Sequence, residues 1–323
     1  MKKQSLNALA ASYRADLLYY IERAKLGKCP PHWQAYCFGE IAAARGTDAY
    51  PEDGDALLDA VKEFDAMTVR SATKVRQNVL DAAAQTGRLK IVIRGGVGID
   101  NIDADYAAKA GIKVTNTPKA SSSSVAELAL GHMFSLARYI GISNVTMRQG
   151  QWNKKKYEGI ELTGKTLGFI GMGRISQELA RRAVALGMNV IYTDILGKLP
   201  VPYEYAEMAE VLAKGDFVTL HIPAPADGKA VIGKDELALM KPTAFIINTA
   251  RGGLIDEDAL LDALDNDRLA GAAFDVYPTE SAEDQRLLSH PKISCTPHIG
   301  GSTKEAQKRI GAEIVEIISD FFA

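Results

Sequence analysis

Thr166-Leu167-Gly168-Phe169-Ile170-Gly171-Met172-Gly173-Arg174-Ile175-Ser176 is an apolar run that meets two glycines and passes into a helical pattern through Leu179, Ala180, Ala183 and Leu186. An apolar run without alternation marks a strand covered on both faces, and the stretch behind it is long enough for a crossover helix. A strand, a glycine turn and a helix start together aim backbone N–H groups and the positive end of the helix at one point, which suits an anion. Gly171 is expected to make the tight turn, and Gly173 to let the backbone approach the pyrophosphate of a dinucleotide. Ser176 stands where glycine or alanine is usual, at a position that serves helix–strand packing. The next strand runs into Thr193-Asp194, which puts a carboxylate roughly 20 residues downstream, the spacing of a ribose-binding acid. Asp194 would accept from ribose hydroxyls and repel a 2′-phosphate, and no arginine follows it closely, so NAD is expected over NADP.

The same pattern spreads in both directions. Residues 57–64 read as a helix, and 66–70, 90–94, 166–170, 190–192, 217–221, 244–248 and 272–274 read as strands, with helix-length segments between them. Alternation of this kind predicts an α/β fold with parallel sheets, twice over. The chain of 323 residues fits two domains at roughly 150 residues each. The first 50 residues contain helix-like stretches, a Cys29-Pro30-Pro31 break and a strand expected near 36–38.

Composition narrows the function. Apolar residues make up 47% and charged ones 24%, as in an ordinary globular chain, and 38 Lys plus Arg against 40 Asp plus Glu leave a formal charge of −2. No general attraction to nucleic acid or anionic membrane is built in. Cys29, Cys37 and Cys295 are too few and too unevenly spaced for a disulfide framework or a zinc site, so no metal and a cytoplasmic location are expected. Polar residues interrupt the N-terminus, so no secretory signal is expected, and with Glu127, His132 and Arg138 the stretch 125–142 is expected to be a buried amphipathic helix rather than a membrane span.

Three later segments each begin at a strand end, where ligands collect in open α/β sheets. They are Asn248-Thr249-Ala250-Arg251-Gly252-Gly253-Leu254-Ile255-Asp256, Gly271-Ala272-Ala273-Phe274-Asp275-Val276-Tyr277-Pro278-Thr279-Glu280, and Thr296-Pro297-His298-Ile299-Gly300-Gly301-Ser302-Thr303. With Arg70-Ser71-Ala72-Thr73-Lys74, Arg94-Gly95-Gly96-Val97-Gly98-Ile99-Asp100-Asn101 and Val125-Ala126-Glu127-Leu128, they make the chain resemble the D-isomer-specific 2-hydroxyacid dehydrogenases from about residue 66 to 317. The likeness is strongest to the branch that oxidises 3-phosphoglycerate at C2 for serine synthesis.

The resemblance implies that His298 is the general acid/base, Glu280 its partner, and Arg251 the clamp on the substrate carboxylate and keto oxygen. Imidazole suits proton traffic near neutral pH, and a guanidinium fork suits a planar carboxylate. The amides of Arg174 and Ile175 would face the pyrophosphate. His221 and Ile222 would touch the cofactor through their backbone, Thr249 and Ala250 would line its nicotinamide half, Asp275 would meet the carboxamide, and Gly300 and Gly301 would close that side. Arg70, Ser71 and Arg94 with Gly96, Val97 and Gly98 resemble the substrate-binding face, an anion site of exposed N–H groups. His132 is expected to be packed or hydrogen-bonded on its helix, and His290 to lie on a surface loop.

The family's arrangement inserts the NAD domain, 119–301, into the substrate domain, 1–118 plus 302–323, both of them Rossmann-like doubly wound sheets. Two departures stand out. Ser281 follows Glu280 where proline is common, and the usual opening strand is missing from 1–20. The chain ends at Ala323, so a C-terminal regulatory domain and feedback inhibition by serine are not expected. The expected partner molecules are a small anionic 2-hydroxy or 2-keto acid and a second copy of the chain, meeting through 125–142 and the Gln151-Trp152 arm. The alternatives are reduction of glyoxylate, hydroxypyruvate or D-lactate's keto acid, and an NAD-sensing binding protein.

Overall fold

Strands buried on both faces form two separate parallel sheets in the computed structural model, which describes residues 35–37, 55–62, 64–71, 73–225, 227–279 and 282–323. The chain divides into two compact units, one of Met1–Ser121 with Lys304–Ala323 and one of Ser122–Thr303. In the first unit, β1 (Ala35–Cys37), β2 (Ala66–Val69), β3 (Ile91–Arg94) and β4 (Lys113–Asn116) lie side by side in chain order, all parallel. They are linked through α1 (Asp55–Ala60), α2 (Gln77–Ala84) and α3 (Ala104–Lys109).

The second unit opens with α4 (Ser122–Arg138) and α5 (Ile140–Arg148). It continues through β5 (Thr166–Ile170), α6 (Arg174–Ala185), β6 (Asn189–Thr193), β7 (Glu204–Tyr205), α7 (Met208–Lys214) and β8 (Phe217–Leu220). Next come α8 (Lys234–Leu239), β9 (Phe245–Asn248), α9 (Glu257–Asp265), β10 (Gly271–Phe274), α10 (Gln285–Ser289) and β11 (Ile293–Cys295). The chain then returns to the first unit as α11 (Lys304–Phe321).

Pleat parity explains why the strands read as continuous apolar runs. In the first unit Met67, Val69 and Val92 pack with Val79, Leu80 and Ala107, whereas Ala66, Ile91 and Ile93 pack with Ile318 of α11. In the second unit Phe169 and Ile247 pack with Met133, Leu179 and Ala183, while Val218, Ile246 and Phe274 pack with Leu260, Leu264 and Leu287. Truncating a fully buried side chain such as Phe169 to alanine would cost about 3–5 kcal/mol. The second sheet runs β11-β10-β9-β8-β5-β6-β7, so the winding reverses between β5 and β8. That reversal opens a crevice at the carboxyl ends of these two strands, where ligands of doubly wound sheets bind.

One expectation is corrected. Residues 125–142 are not a single buried helix: α4 stops at Arg138, Tyr139 takes a left-handed φ of 55°, and α5 carries no buried side chain. The physical reason is competition for a carbonyl. Ile160 donates its N–H to Ala137 O at 2.9 Å, which occupies an acceptor near the end of α4.

Candidate cofactor and active site

At the end of β5 the backbone turns through Gly171 at φ 88°, and a Cβ there would lie 2.7 Å from the His221 carbonyl oxygen. Only glycine meets both demands. The Met172 N–H donates to Asp194 Oδ2 at 2.8 Å and the Leu196 N–H donates to Oδ1 at 3.0 Å, so Asp194 ties the glycine turn to the end of β6. The departure at Ser176 is resolved by a hydrogen bond: this fully buried hydroxyl donates to Gly171 O at 2.7 Å. Gly173 is the N-cap of α6, no side chain caps that helix, and a Cβ on Gly173 would meet nothing within 4 Å. The first amides of α6, including those of Arg174 and Ile175, have no acceptor within the helix and carry the partial positive charge of its start.

His221 and Thr249 follow the neighbouring strands β8 and β9. His221 donates its N–H to Ile170 O at 2.9 Å, and its Nε2 lies 3.0 Å from Thr219 Oγ1. His221 Nδ1 and Thr249 Oγ1 are buried without a hydrogen-bond partner, as expected of polar atoms awaiting a ligand. Burial pushes the His221 imidazole down to about 3, so it is neutral at physiological pH and unsuited to carrying a proton there. An uncapped helix start behind two glycines, a carboxylate at the next strand end and two orphaned polar atoms fit a dinucleotide.

Asn248 closes β9 and organises the turn after it. It is buried, its Nδ2 donates to Arg251 O at 2.8 Å, and its Oδ1 accepts from the Ala250 N–H at 3.1 Å. Arg251 Nη1 donates to Ala250 O at 2.6 Å. Glycine is required at 252, where a Cβ would run into the Tyr277 carbonyl and push apart the loops that follow β9 and β10.

Asp275, only 1% exposed, accepts at Oδ1 from Thr296 Oγ1 at 2.6 Å and from the Ile299 N–H at 2.8 Å. Its Oδ2 accepts from the Gly300 N–H at 2.8 Å. The carboxylate thus fastens the 296–300 loop. His298 sits on that loop with an exposed side chain and a left-handed φ of 52°. Such a conformation costs about 1–3 kcal/mol and persists where its surroundings impose it. Glu280 and Ser281 lie outside the described residues, as do His32 and 1–20. His290 lies on the loop after α10, as expected, but is half-buried, with Nε2 3.3 Å from Asp265 Oδ1.

In the first unit, Arg70 and Ser71 follow β2, and Arg94 ends β3 before the Gly95–Gly98 loop. The register of these strands pairs Val69 with Arg94, so both guanidiniums start from the same sheet end. Arg70 Nη1 donates to Gln307 of α11, and Asn101 Nδ2 donates to Arg70 O at 2.9 Å and Thr73 O at 2.6 Å. Asn116 donates to Val97 O, and the Arg94 guanidinium folds over Gly96, whose φ is 147°. Asn101, Asn248, Thr296 and Gln307 are organising residues to which the sequence assigned no role. Asn248 alone carries a signal, a polar residue closing an apolar strand.

Among the described residues no helix is long and apolar enough to cross a membrane. Residues 130–300 match the family model "D-isomer specific 2-hydroxyacid dehydrogenase, NAD binding domain". The chain is similar to the hydroxypyruvate reductase of Thermotoga maritima, at 44% identity over 268 residues, 82% of this chain and 87% of that protein. It is also 43% identical over 289 residues to the D-3-phosphoglycerate dehydrogenase of Methanocaldococcus jannaschii, covering 87% of this chain but only 53% of that protein's length. Among solved structures, a glyoxylate reductase from Paecilomyes thermophila matches with a TM-score of 0.78 and 32% identity, covering 89% of this chain and 94% of that one. With a family match over half its length, the chain belongs to the D-isomer-specific 2-hydroxyacid dehydrogenases, NAD-dependent oxidoreductases of the Rossmann type.

Proposed function

We propose that the chain interconverts D-3-phosphoglycerate and 3-phosphohydroxypyruvate, with the second unit holding NAD and the first holding the substrate's phosphate. The single observation that carries the phosphate is the pair Arg70 and Arg94, which leave one sheet end beside a glycine loop. Two guanidiniums match a doubly charged oxyanion better than they match a lone carboxylate. NAD, when bound, supplies the hydride acceptor for C2. In that direction His298 takes the proton from the C2 hydroxyl oxygen, and in reduction it returns a proton to the keto oxygen. Arg251 pairs with the substrate carboxylate, and Glu280 stabilises the imidazolium form of His298.

A second reading, reduction of unphosphorylated hydroxypyruvate or glyoxylate, is favoured by the similarity to the Thermotoga maritima enzyme along 87% of its length. Replacing Arg70 with alanine separates the two. Charge-assisted hydrogen bonds are worth about 1.5–3 kcal/mol, so KM for 3-phosphoglycerate should rise about 10- to 150-fold while KM for an unphosphorylated analogue changes far less. Equal losses for both would remove phosphate recognition from Arg70. Homodimerisation is part of the same proposal, supported by Ile140, Val145, Met147 and Trp152, which are 49–77% exposed on and after α5.

A further inference from the structure

Behind the loop that carries His298 lies a buried histidine for which the proposed chemistry has no use. His132 projects from α4 and is 3% exposed. Its Nε2 lies 3.0 Å from Thr296 Oγ1, and its Nδ1 lies 2.9 Å from Ser294 Oγ. Thr296 Oγ1 in turn is 2.6 Å from Asp275 Oδ1, the carboxylate that holds the Ile299 and Gly300 amides.

Proton counting orients the whole chain of bonds. Ionised Asp275 can only accept, so the single Thr296 hydroxyl proton points to it. The Thr296 oxygen then accepts from His132, which requires a proton on Nε2. The bare Nδ1 then accepts a hydrogen bond from the Ser294 hydroxyl, which leaves the Ser135 hydroxyl as the donor in its 3.4 Å contact with Ser294 Oγ. Burial holds the His132 imidazole below its ordinary value, with the Asp275 carboxylate pulling the other way, in keeping with a neutral ring.

We propose that His132 is a positioning residue for His298. Its Nε2–H locks the Thr296 hydroxyl onto Asp275, and Asp275 holds the backbone that imposes the left-handed φ of 52° on His298. A neutral ring between two hydroxyls is satisfied on both sides, so the network holds the loop without placing a second charge beside it. The role rests on the acid/base assignment of His298 made above.

The test combines His132→Leu and Thr296→Val with the conservative changes His132→Gln and Thr296→Ser, which keep a donor or a hydroxyl in place. In the first pair, hydrogen exchange of the Ile299 and Gly300 amides should accelerate at least about tenfold, and kcat should fall about tenfold with the NADH Kd within about twofold. The second pair should recover most of both losses. In the parent enzyme, long-range proton–nitrogen spectra should show His132 protonated at Nε2, which needs no variant to fold. Protonation at Nδ1, unchanged exchange and kcat in the first pair, or failure of the conservative pair to recover them would overturn the proposal. A His298→Ala variant separates the two layers: full turnover there removes the acid/base assignment, whereas lost turnover with unchanged exchange in Thr296→Val removes only the role of His132.

Discussion

Two glycine loops, 171–175 in the second unit and 95–98 in the first, are built from different materials. The first offers backbone amides at an uncapped helix start and is fastened by a carboxylate, Asp194, through the Met172 N–H. The second lies among guanidiniums, with Arg94 folded over Gly96 and Arg70 bonded to Gln307. A backbone cradle with an acid beside it specifies a dinucleotide almost by geometry alone. A cationic loop specifies only charge, so the cofactor is legible where the substrate is not.

If the comparison holds, damage in the second unit stops the chemistry and damage in the first changes only which acid is used. His298→Ala should carry the largest effect, a loss of about 10²- to 10⁴-fold in kcat with NADH binding intact by fluorescence titration. If Glu280 is its partner, Glu280→Gln should be milder and move the alkaline limit of keto acid reduction to lower pH, because the imidazolium would lose a neighbouring negative charge. A pH-rate profile that does not move would exclude Glu280 as the partner.

The next effect is on stability. Because burial depresses His221 to about 3, the unfolded chain binds a proton there below about pH 6.5 and the folded chain does not. Stability contributed by the neutral ring is complete above that pH and is lost as the pH falls toward 3, by at most about 1.4 kcal/mol per pH unit. The depressed His132 acts with the same sign. Urea unfolding midpoints between pH 7 and 4.5 should therefore fall less steeply in His221→Asn than in the parent.

Much of this was readable from the chain, and the failures have physical causes. β5, β8, β9 and β10 announce themselves because both faces are buried. β4 does not, since Lys113-Val114-Thr115-Asn116 is an edge strand with exposed and half-buried side chains, and β7 and β11 are short edges of the same kind. The end of α4 carries no glycine or proline, because an incoming amide from Ile160 rather than a local breaker marks it. His298 was visible in its motif. The carboxylate, hydroxyl and imidazole that hold its loop come from β10, the end of β11 and α4, and no sequence spacing joins them.

Cofactor choice is the smallest effect and sharpens the cradle side of the comparison. Asp194 should favour NADH over NADPH at least about tenfold in kcat/KM, about 1.4 kcal/mol. Equal use of the two cofactors would strip Asp194 of that role while leaving its bond to Met172 in place.

The central claim is that the backbone cradle and the His298 loop serve one reaction, reduction of a 2-keto acid at the expense of NADH. It is tested most directly by following NADH absorbance at 340 nm with 3-phosphohydroxypyruvate, hydroxypyruvate, glyoxylate and pyruvate, each with the parent protein. Turnover with at least one of them, fastest with the phosphorylated acid, is the predicted result. Tight NADH binding with no consumption of any 2-keto acid would contradict the claim and leave a cofactor-binding protein in its place.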